Sequence, residues 1–141
     1  DVATLEGLDG RKMSKSYGNT IQLFTDEKTL QKSINRVVTN SLLPGEPKDL
    51  DCTINKLYKI FANKKQQEEF DKKLANGLGW GDAKKELFEV ANAYIKPMRE
   101  KYEYYQAHHE EVDRILEEGA IKARKFAMRK MEKVRKRIGA N

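Results

Sequence analysis

From residue 25 onward the apolar side chains recur at intervals of three and four residues, the spacing of one face of an α-helix rather than the alternation of a half-buried strand. Leu30, Ile34 and Val37 form one such set, Ile54, Leu57, Tyr58 and Phe61 a second, and Leu87, Ala91, Ile95, Met98, Tyr102 and Tyr105 a third. A last stripe runs Val112, Leu116, Ala120, Ala123, Ala127, Met131, Val134 and Ile138, with small residues at its middle that suit close approach to a neighbouring helix. The expected fold class is therefore all-α, a helical bundle of five or six helices. Thr25 ahead of Asp26 and Glu27 reads as an N-cap with acids against the helix dipole, and Asn63 with Gln66 reads as a capping box. Pro44, Gly45 and Pro47 predict one loop, and Gly77, Gly79 and Gly81 around Trp80 another. Pro97 falls inside the third period and must split or kink that helix, because it leaves the Ala93 carbonyl without its donor. Gly119 reads as either a helix break or a close-packing point.

The first 24 residues behave differently. Val2 to Leu5 is a short apolar run that reads as the end of a strand, and Glu6 to Asn19 is polar, with Gly7, Gly10 and Gly18 loosening the backbone. A long surface loop is expected there, and loops of that length in compact domains lean towards function. Within it stands Lys12-Met13-Ser14-Lys15-Ser16. Two ammonium groups three residues apart, with hydroxyls interleaved, suit a polyphosphate, which needs point charges and hydrogen-bond donors around it. The competing reading is a pair of solvated lysines in a chain where charged residues are 35% of the total. That reading dominates for a generic Lys-x-x-Lys, but a chance match to all five residues is on the order of 1 in 10,000 for a chain this long.

Composition closes other routes. Cys52 is the one cysteine, and His108 and His109 lie far from it, so neither a disulfide framework nor a structural zinc site is expected, and no metal ligands are assigned. The histidines read as helix-start residues, capping or exposed, and Met98, Met128 and Met131 as packing residues. No apolar run approaches the roughly 18 residues of a membrane span, and the N-terminus lacks the basic-then-apolar order of a secretory signal, which makes the cytoplasm the default compartment. Asp1 stands where a methionine would begin a gene product, so the 141 residues read as a piece of a longer protein. The net charge is +6, yet the stretch from Gly119 to Asn141 alone carries nine basic residues against Glu132, a net of +8, leaving −2 for the rest. A polyanion drawn by bulk charge meets that end first.

Lys12 to Ser16 reproduces the KMSKS signature of class I aminoacyl-tRNA synthetases. The flanking run Gly7-Leu8-Asp9-Gly10-Arg11 through Tyr17-Gly18-Asn19-Thr20-Ile21 resembles the bacterial tryptophanyl branch. The resemblance continues through Val38-Thr39-Asn40-Ser41, Gly81-Asp82-Ala83-Lys84-Lys85, Pro97-Met98-Arg99, Glu118-Gly119-Ala120 and Ala123-Arg124. It implies residues 1–24 as an ATP-binding loop at the end of an α/β catalytic domain and residues 25–141 as a helical tRNA- and anticodon-binding domain. It further implies that the amino acid carboxylate attacks the α-phosphorus of ATP, brought with Mg2+, and that Lys12 and Lys15 hold the β- and γ-phosphates and stabilise the departing pyrophosphate. Ser14 and Ser16 would add donors or fix the loop, Met13 would anchor it by packing, and Gly10 and Gly18 would be its hinges. Leu5 is a candidate for a backbone contact to adenine, with a core strand residue as the competing reading.

No HIGH-like motif, nucleotide-binding sheet or tryptophan pocket accompanies the loop, so this piece alone is expected not to activate tryptophan. The resemblance implies tRNA(Trp), tryptophan and ATP as partners of the full-length enzyme, a homodimer there, and a monomer for the isolated piece. For the basic final helix, Lys122, Lys125, Arg129, Lys133 and Lys136 are candidates for tRNA phosphates, and Trp80, Tyr104 and Tyr105 for stacking on unpaired bases. The competing readings are a solvated basic face and packed aromatics. Rivals for the whole chain are a synthetase for another amino acid, tyrosine above all, and a non-enzymatic helical module that merely contacts nucleic-acid phosphates.

Overall fold

A computed structural model of the chain describes residues 4–140. Five α-helices follow one short 3-10 turn: Lys15–Tyr17 for the turn, then α1 (Glu27–Asn35), α2 (Thr53–Phe61), α3 (Lys64–Ala75), α4 (Trp80–Ala107) and α5 (His109–Ile138). Among the described residues there is no strand, only an isolated antiparallel bridge between Glu6 and Lys12. Val2 and Ala3 of the expected strand end lie outside the described residues; Leu5 is about half exposed and belongs to no strand. The chain divides into two compact units, one up to Glu100 and one from Lys101 onward.

The first unit forms around the helical periods. Leu30, Ile34, Val37, Ile54, Leu57, Phe70, Leu74, Ala83, Leu87, Ala91 and Ile95 are buried together with Tyr58 and Leu8, so the N-terminal segment shares the core of the helices. The cap of α1 is Asp26 rather than Thr25. Its carboxylate accepts the Thr29 backbone N–H at 2.9 Å and the Thr29 hydroxyl at 2.6 Å, and one threonine oxygen does not match two carboxylate acceptors. The Asn63/Gln66 capping box forms as expected. Tyr58 of α2 stacks on Phe70 of α3, ring centroids 3.9 Å apart, and the Gln67 amide donates to the carbonyls of Lys59 and Ala62, tying the end of α2 to the start of α3.

The two expected loops turn out to be one clasp. The Gly45 N–H donates to Gly77 O at 2.8 Å, and a Cβ on Gly77, whose φ is +86°, would sit 2.4 Å from the Gly45 carbonyl carbon. The Lys48 ammonium, 4% exposed, donates to the carbonyls of Leu43 and Glu46 at 2.6 Å each and lies over the Trp80 ring. Trp80 opens α4, so Gly81 is helical and not part of the loop. Pro97 does not split α4, which runs through it without a break. Burial along α4 steps by four, from Leu87 through Ala91 and Ile95 to Arg99, so Arg99 takes the inward position expected of Met98.

In the second unit the end of α4 and the start of α5 meet through Tyr104. Its ring stacks on His108 at 4.1 Å and its hydroxyl donates to Glu111 at 2.8 Å. His108 occupies the N-cap position of α5 without capping it, and His109 begins the helix. None of the α5 residues is buried, and Gly119 lies within the helix with open space beside it, so it neither breaks the helix nor packs closely.

Candidate phosphate-binding loop and basic helix

The segment expected to be a long loop carries no strand among the described residues, but its first part, residues 5–13, closes into a tight hairpin turn. An Asp-Gly pair at its tip is the sequence signal for such a turn. The Gly7 N–H donates to Arg11 O at 2.7 Å and the Gly10 N–H to Gly7 O at 3.1 Å, while the Met13 N–H donates to Leu5 O at 2.8 Å. Leu5 thus offers its carbonyl to the hairpin, and its exposed side chain leaves it outside the core. Glu6 anchors the base to the start of α2, accepting from the Thr53 hydroxyl at 2.9 Å and the Lys56 ammonium at 2.8 Å. The Val38 N–H donates to Leu8 O, which fixes the other side.

Asn19 holds the centre. It is 3% exposed, accepts the Ser14 N–H at 2.8 Å, and donates to Asp9 at 2.7 Å and to the Lys12 carbonyl at 3.1 Å. A Cβ on Gly7 would lie 2.4 Å from the Asn19 amide carbon, so only glycine admits this side chain. The Asn19 amide, helped by Arg11, pulls the Asp9 carboxyl from 3.8 down to about 2, so Asp9 stays ionised through the physiological range. Arg11 in turn is committed: it pairs with Asp9 at 2.6 Å and lies over the Tyr17 ring at 4.7 Å. Neither Asn19 nor Asp9 was assigned a role from sequence, and Gly7, read there as loosening the backbone, instead makes room for the Asn19 side chain.

Lys12 and Lys15 are both exposed, and neither is in an ion pair among the described residues. Met13, between them, is partly buried and packs against the core. Ser14 adopts extended backbone geometry and precedes the 3-10 turn, which re-aims the chain so that Lys15 and Ser16 follow on the exposed side. The two serine hydroxyls lie 2.8 Å apart. One donates to the other, so the pair keeps one proton to offer to an anion.

On α5, Lys122, Lys125, Arg129, Lys133 and Lys136 are spaced by three and four residues, which places all five along one face, and all are exposed. Phe126, 78% exposed, stands four residues after Lys122 and three before Arg129, an unburied aromatic among those cations that its sequence position did not single out. The other aromatic candidates are partly engaged. Trp80 donates its indole N–H to Asn40 at 3.1 Å and carries Lys48 on its ring; Tyr104 is stacked on His108; Tyr105 packs edge-on to Tyr104 and remains exposed.

Comparison with known proteins agrees with this geometry. The model of the class I tRNA synthetases (W and Y) matches residues 2–96. The tryptophan–tRNA ligase of Neisseria meningitidis serogroup A is 47% identical over 140 residues, 99% of this chain and 42% of that protein. That of Pseudomonas putida is 47% identical over 139 residues, 98% of this chain and 31% of its own length. The chain thus spans less than half the length of these curated relatives. Among solved structures, a tryptophanyl-tRNA synthetase from Campylobacter jejuni complexed with ADP and tryptophan superposes with a TM-score of 0.89 at 44% identity, covering 99% of this chain and 44% of that one. The hairpin that carries the lysines and the helices that hold it mark this chain as a member of the class I tRNA synthetases of the W and Y family.

Proposed function

We propose that this chain is the C-terminal part of a bacterial-type tryptophan–tRNA ligase. In this reading, residues up to 24 end the nucleotide-binding catalytic domain and residues 25–141 form the tRNA-binding part. The observation that carries the reading is the hairpin: a clamped base, and two ammonium groups in no ion pair among the described residues, with a serine pair held on its open side. The relatives that cover the chain at 47% identity are tryptophan ligases, which favours tryptophan over tyrosine as the substrate and a ligase over a simple nucleic-acid binder.

In the reaction, the tryptophan carboxylate attacks the α-phosphorus of Mg·ATP, the bond from that phosphorus to the bridging oxygen breaks, and the electron pair leaves with pyrophosphate. Lys12 and Lys15 neutralise charge as it builds on that leaving group, and the free serine proton adds a hydrogen bond. The aminoacyl group then passes to the 3′ end of tRNA(Trp). Lys122, Lys125, Arg129, Lys133 and Lys136 contact backbone phosphates, and Phe126 and Tyr105 offer faces on which unpaired bases stack. The parent enzyme works in the cytoplasm as a homodimer assembled through its catalytic part. Among the described residues no helix is long and apolar enough to cross a membrane.

The test is pyrophosphate exchange dependent on tryptophan and ATP in the intact parent protein. Lys15→Ala lowers it by roughly two to three powers of ten, the size of loss when one preorganised donor to a developing negative charge is removed, with tRNA affinity nearly unchanged. Unchanged exchange in that variant would remove Lys15 from the mechanism.

A further inference from the structure

Beside the hairpin, a cleft of about 520 Å³ opens towards α1, lined by Leu8, Lys15, Gly18, Thr20, Gln22, Thr29, Ser33 and Arg36. Its volume lies within the roughly 300–1,000 Å³ of small-molecule sites. Its chemistry is one-sided: two cations and not one acid line it. Neither Lys15 nor Arg36 is in an ion pair among the described residues. Arg36 is the C-cap of α1, where a cation is often held by the last carbonyls of the helix. Here that post is taken by Lys84, whose ammonium donates to Asn35 O at 2.9 Å, so the Arg36 guanidinium is not needed for it.

The neutral side chains in the cleft divide into two kinds. The Thr29 hydroxyl donates to Asp26 and the Ser33 hydroxyl to Thr29 O, so their protons are spent within α1. Thr20 and Gln22 make no such internal bonds among the described residues, and they supply the remaining neutral donors. An ammonium, a guanidinium fork, a hydroxyl and an amide around one cavity suit a phosphate-bearing anion and offer little to a neutral or cationic ligand.

We infer that Arg36 is a further phosphate-binding residue of this protein: the cleft holds pyrophosphate between Lys15 and the Arg36 guanidinium. This rests on the proposed ligase reading, which supplies pyrophosphate as product and makes Lys15 one of its ligands. Nothing in the sequence marks Arg36, since it lies 21 residues beyond Lys15 and the fold alone brings both to one cavity.

The experiment is tryptophan-dependent pyrophosphate exchange in the intact parent protein, with pyrophosphate as the varied substrate, for wild type, Arg36→Gln and Arg36→Lys. Arg36→Gln raises the KM for pyrophosphate roughly 10- to 100-fold, the worth of a charge-assisted hydrogen bond, and Arg36→Lys recovers part of the loss. The KM for tRNA, measured in aminoacylation, stays where it was. A pyrophosphate KM within about twofold of wild type in Arg36→Gln overturns the inference while the ligase reading stands. A raised tRNA KM with an unmoved pyrophosphate KM also overturns it, and gives the cleft to an RNA phosphate. Wild-type protein without any exchange defeats the ligase reading itself, and this inference with it. Arg36 is exposed, and its side chain makes no hydrogen bond among the described residues, so a thermal midpoint equal to wild type is expected of both variants.

Discussion

Asn19→Ala isolates what holds the lysine hairpin in shape. The substitution leaves the Ser14 N–H and the Lys12 carbonyl without the partners they have at 2.8 and 3.1 Å. At a net of about 1 kcal/mol for each bond, the loss is about 2 kcal/mol. For a unit of about 100 residues that lowers the melting temperature by roughly 8–16 °C, because Leu8 ties the hairpin to the core and the unit unfolds together. The third bond has its own readout. Asp9 is held at about 2, chiefly by the Asn19 amide, against 3.8 unperturbed. A carboxyl depressed on folding adds stability that is fully present above 3.8 and disappears as the pH falls through about 2. Wild type therefore loses a share of its stability between roughly pH 4 and 2, and in Asn19→Ala that share shrinks while the Asp9 midpoint, followed by NMR, moves up towards 3.8. Arg11 remains beside Asp9, so the return is incomplete. A melting temperature within about 2 °C of wild type, together with an unmoved Asp9 midpoint, refutes the idea that Asn19 organises the hairpin.

The other tests address the clasp and the basic face. Gly77→Ala is expected to cost about 3 kcal/mol or more in urea unfolding, since the backbone is left-handed and the new Cβ would meet the Gly45 backbone at 2.4 Å; a loss below about 1 kcal/mol would mean the two loops separate easily. Lys48→Met leaves the Leu43 and Glu46 carbonyls without their shared donor and should cost about 2 kcal/mol by the same measurement, whereas a neutral result would show the ammonium to be decoration. Changing Lys122, Lys125, Arg129, Lys133 and Lys136 together to Gln in the intact parent should flatten the salt dependence of tRNA binding by roughly 0.7–0.9 in log–log slope for each RNA phosphate that a cation no longer neutralises. An unchanged slope assigns that face to solvent.

What the sequence disclosed is what is decided locally. Leu30 with Ile34 and Asn63 with Gln66 interact within a turn of one helix, where spacing alone sets the geometry. The shift of the α1 cap from Thr25 to Asp26 is a one-residue contest between two good acceptors, resolved by a Thr29 hydroxyl that spacing does not weigh. Arg99 replaces Met98 at the inner face because burial on α4 follows steps of four, and which step a long helix takes depends on its neighbours. The Lys12–Ser16 signature pointed to phosphate chemistry, but its support did not show. Asn19 reaches residues five, seven and ten positions away, and Lys48 sits beneath a tryptophan 32 positions on; such contacts exist only after the chain has folded. The Asp9-Gly10 pair does carry a turn signal in the sequence, and the polar character of its surroundings made it read as open loop.

The same contacts divide the hairpin mechanically. Glu6, Leu8 and Asn19 bind residues 5–14 and 19 to α2, to Val38 and to one another, and Met13 packs on the core, so these positions move only if the unit loosens. Between the clamped ends lies the 3-10 turn Lys15–Tyr17, with no buried residue. It ends at Gly18, whose φ of +62° sits in open space. The sequence offered Gly10 and Gly18 alike as hinges. Both N–H groups are bonded, Gly10 to Gly7 O and Gly18 to Lys15 O, but an added Cβ on Gly10 would touch Thr53 and Val38 while nothing lies beside Gly18, which leaves Gly18 as the freer pivot. Lys15 would then swing on a short arm while Lys12, whose carbonyl Asn19 holds, stays in place. Closure over a triphosphate under the proposed reading thus orders about four residues rather than the whole loop, which keeps its conformational-entropy cost to roughly 4–8 kcal/mol at 1–2 kcal/mol per residue. A binding site that must release pyrophosphate after every turnover gains from that economy, because a small ordered segment can open again without disturbing the core that aims it.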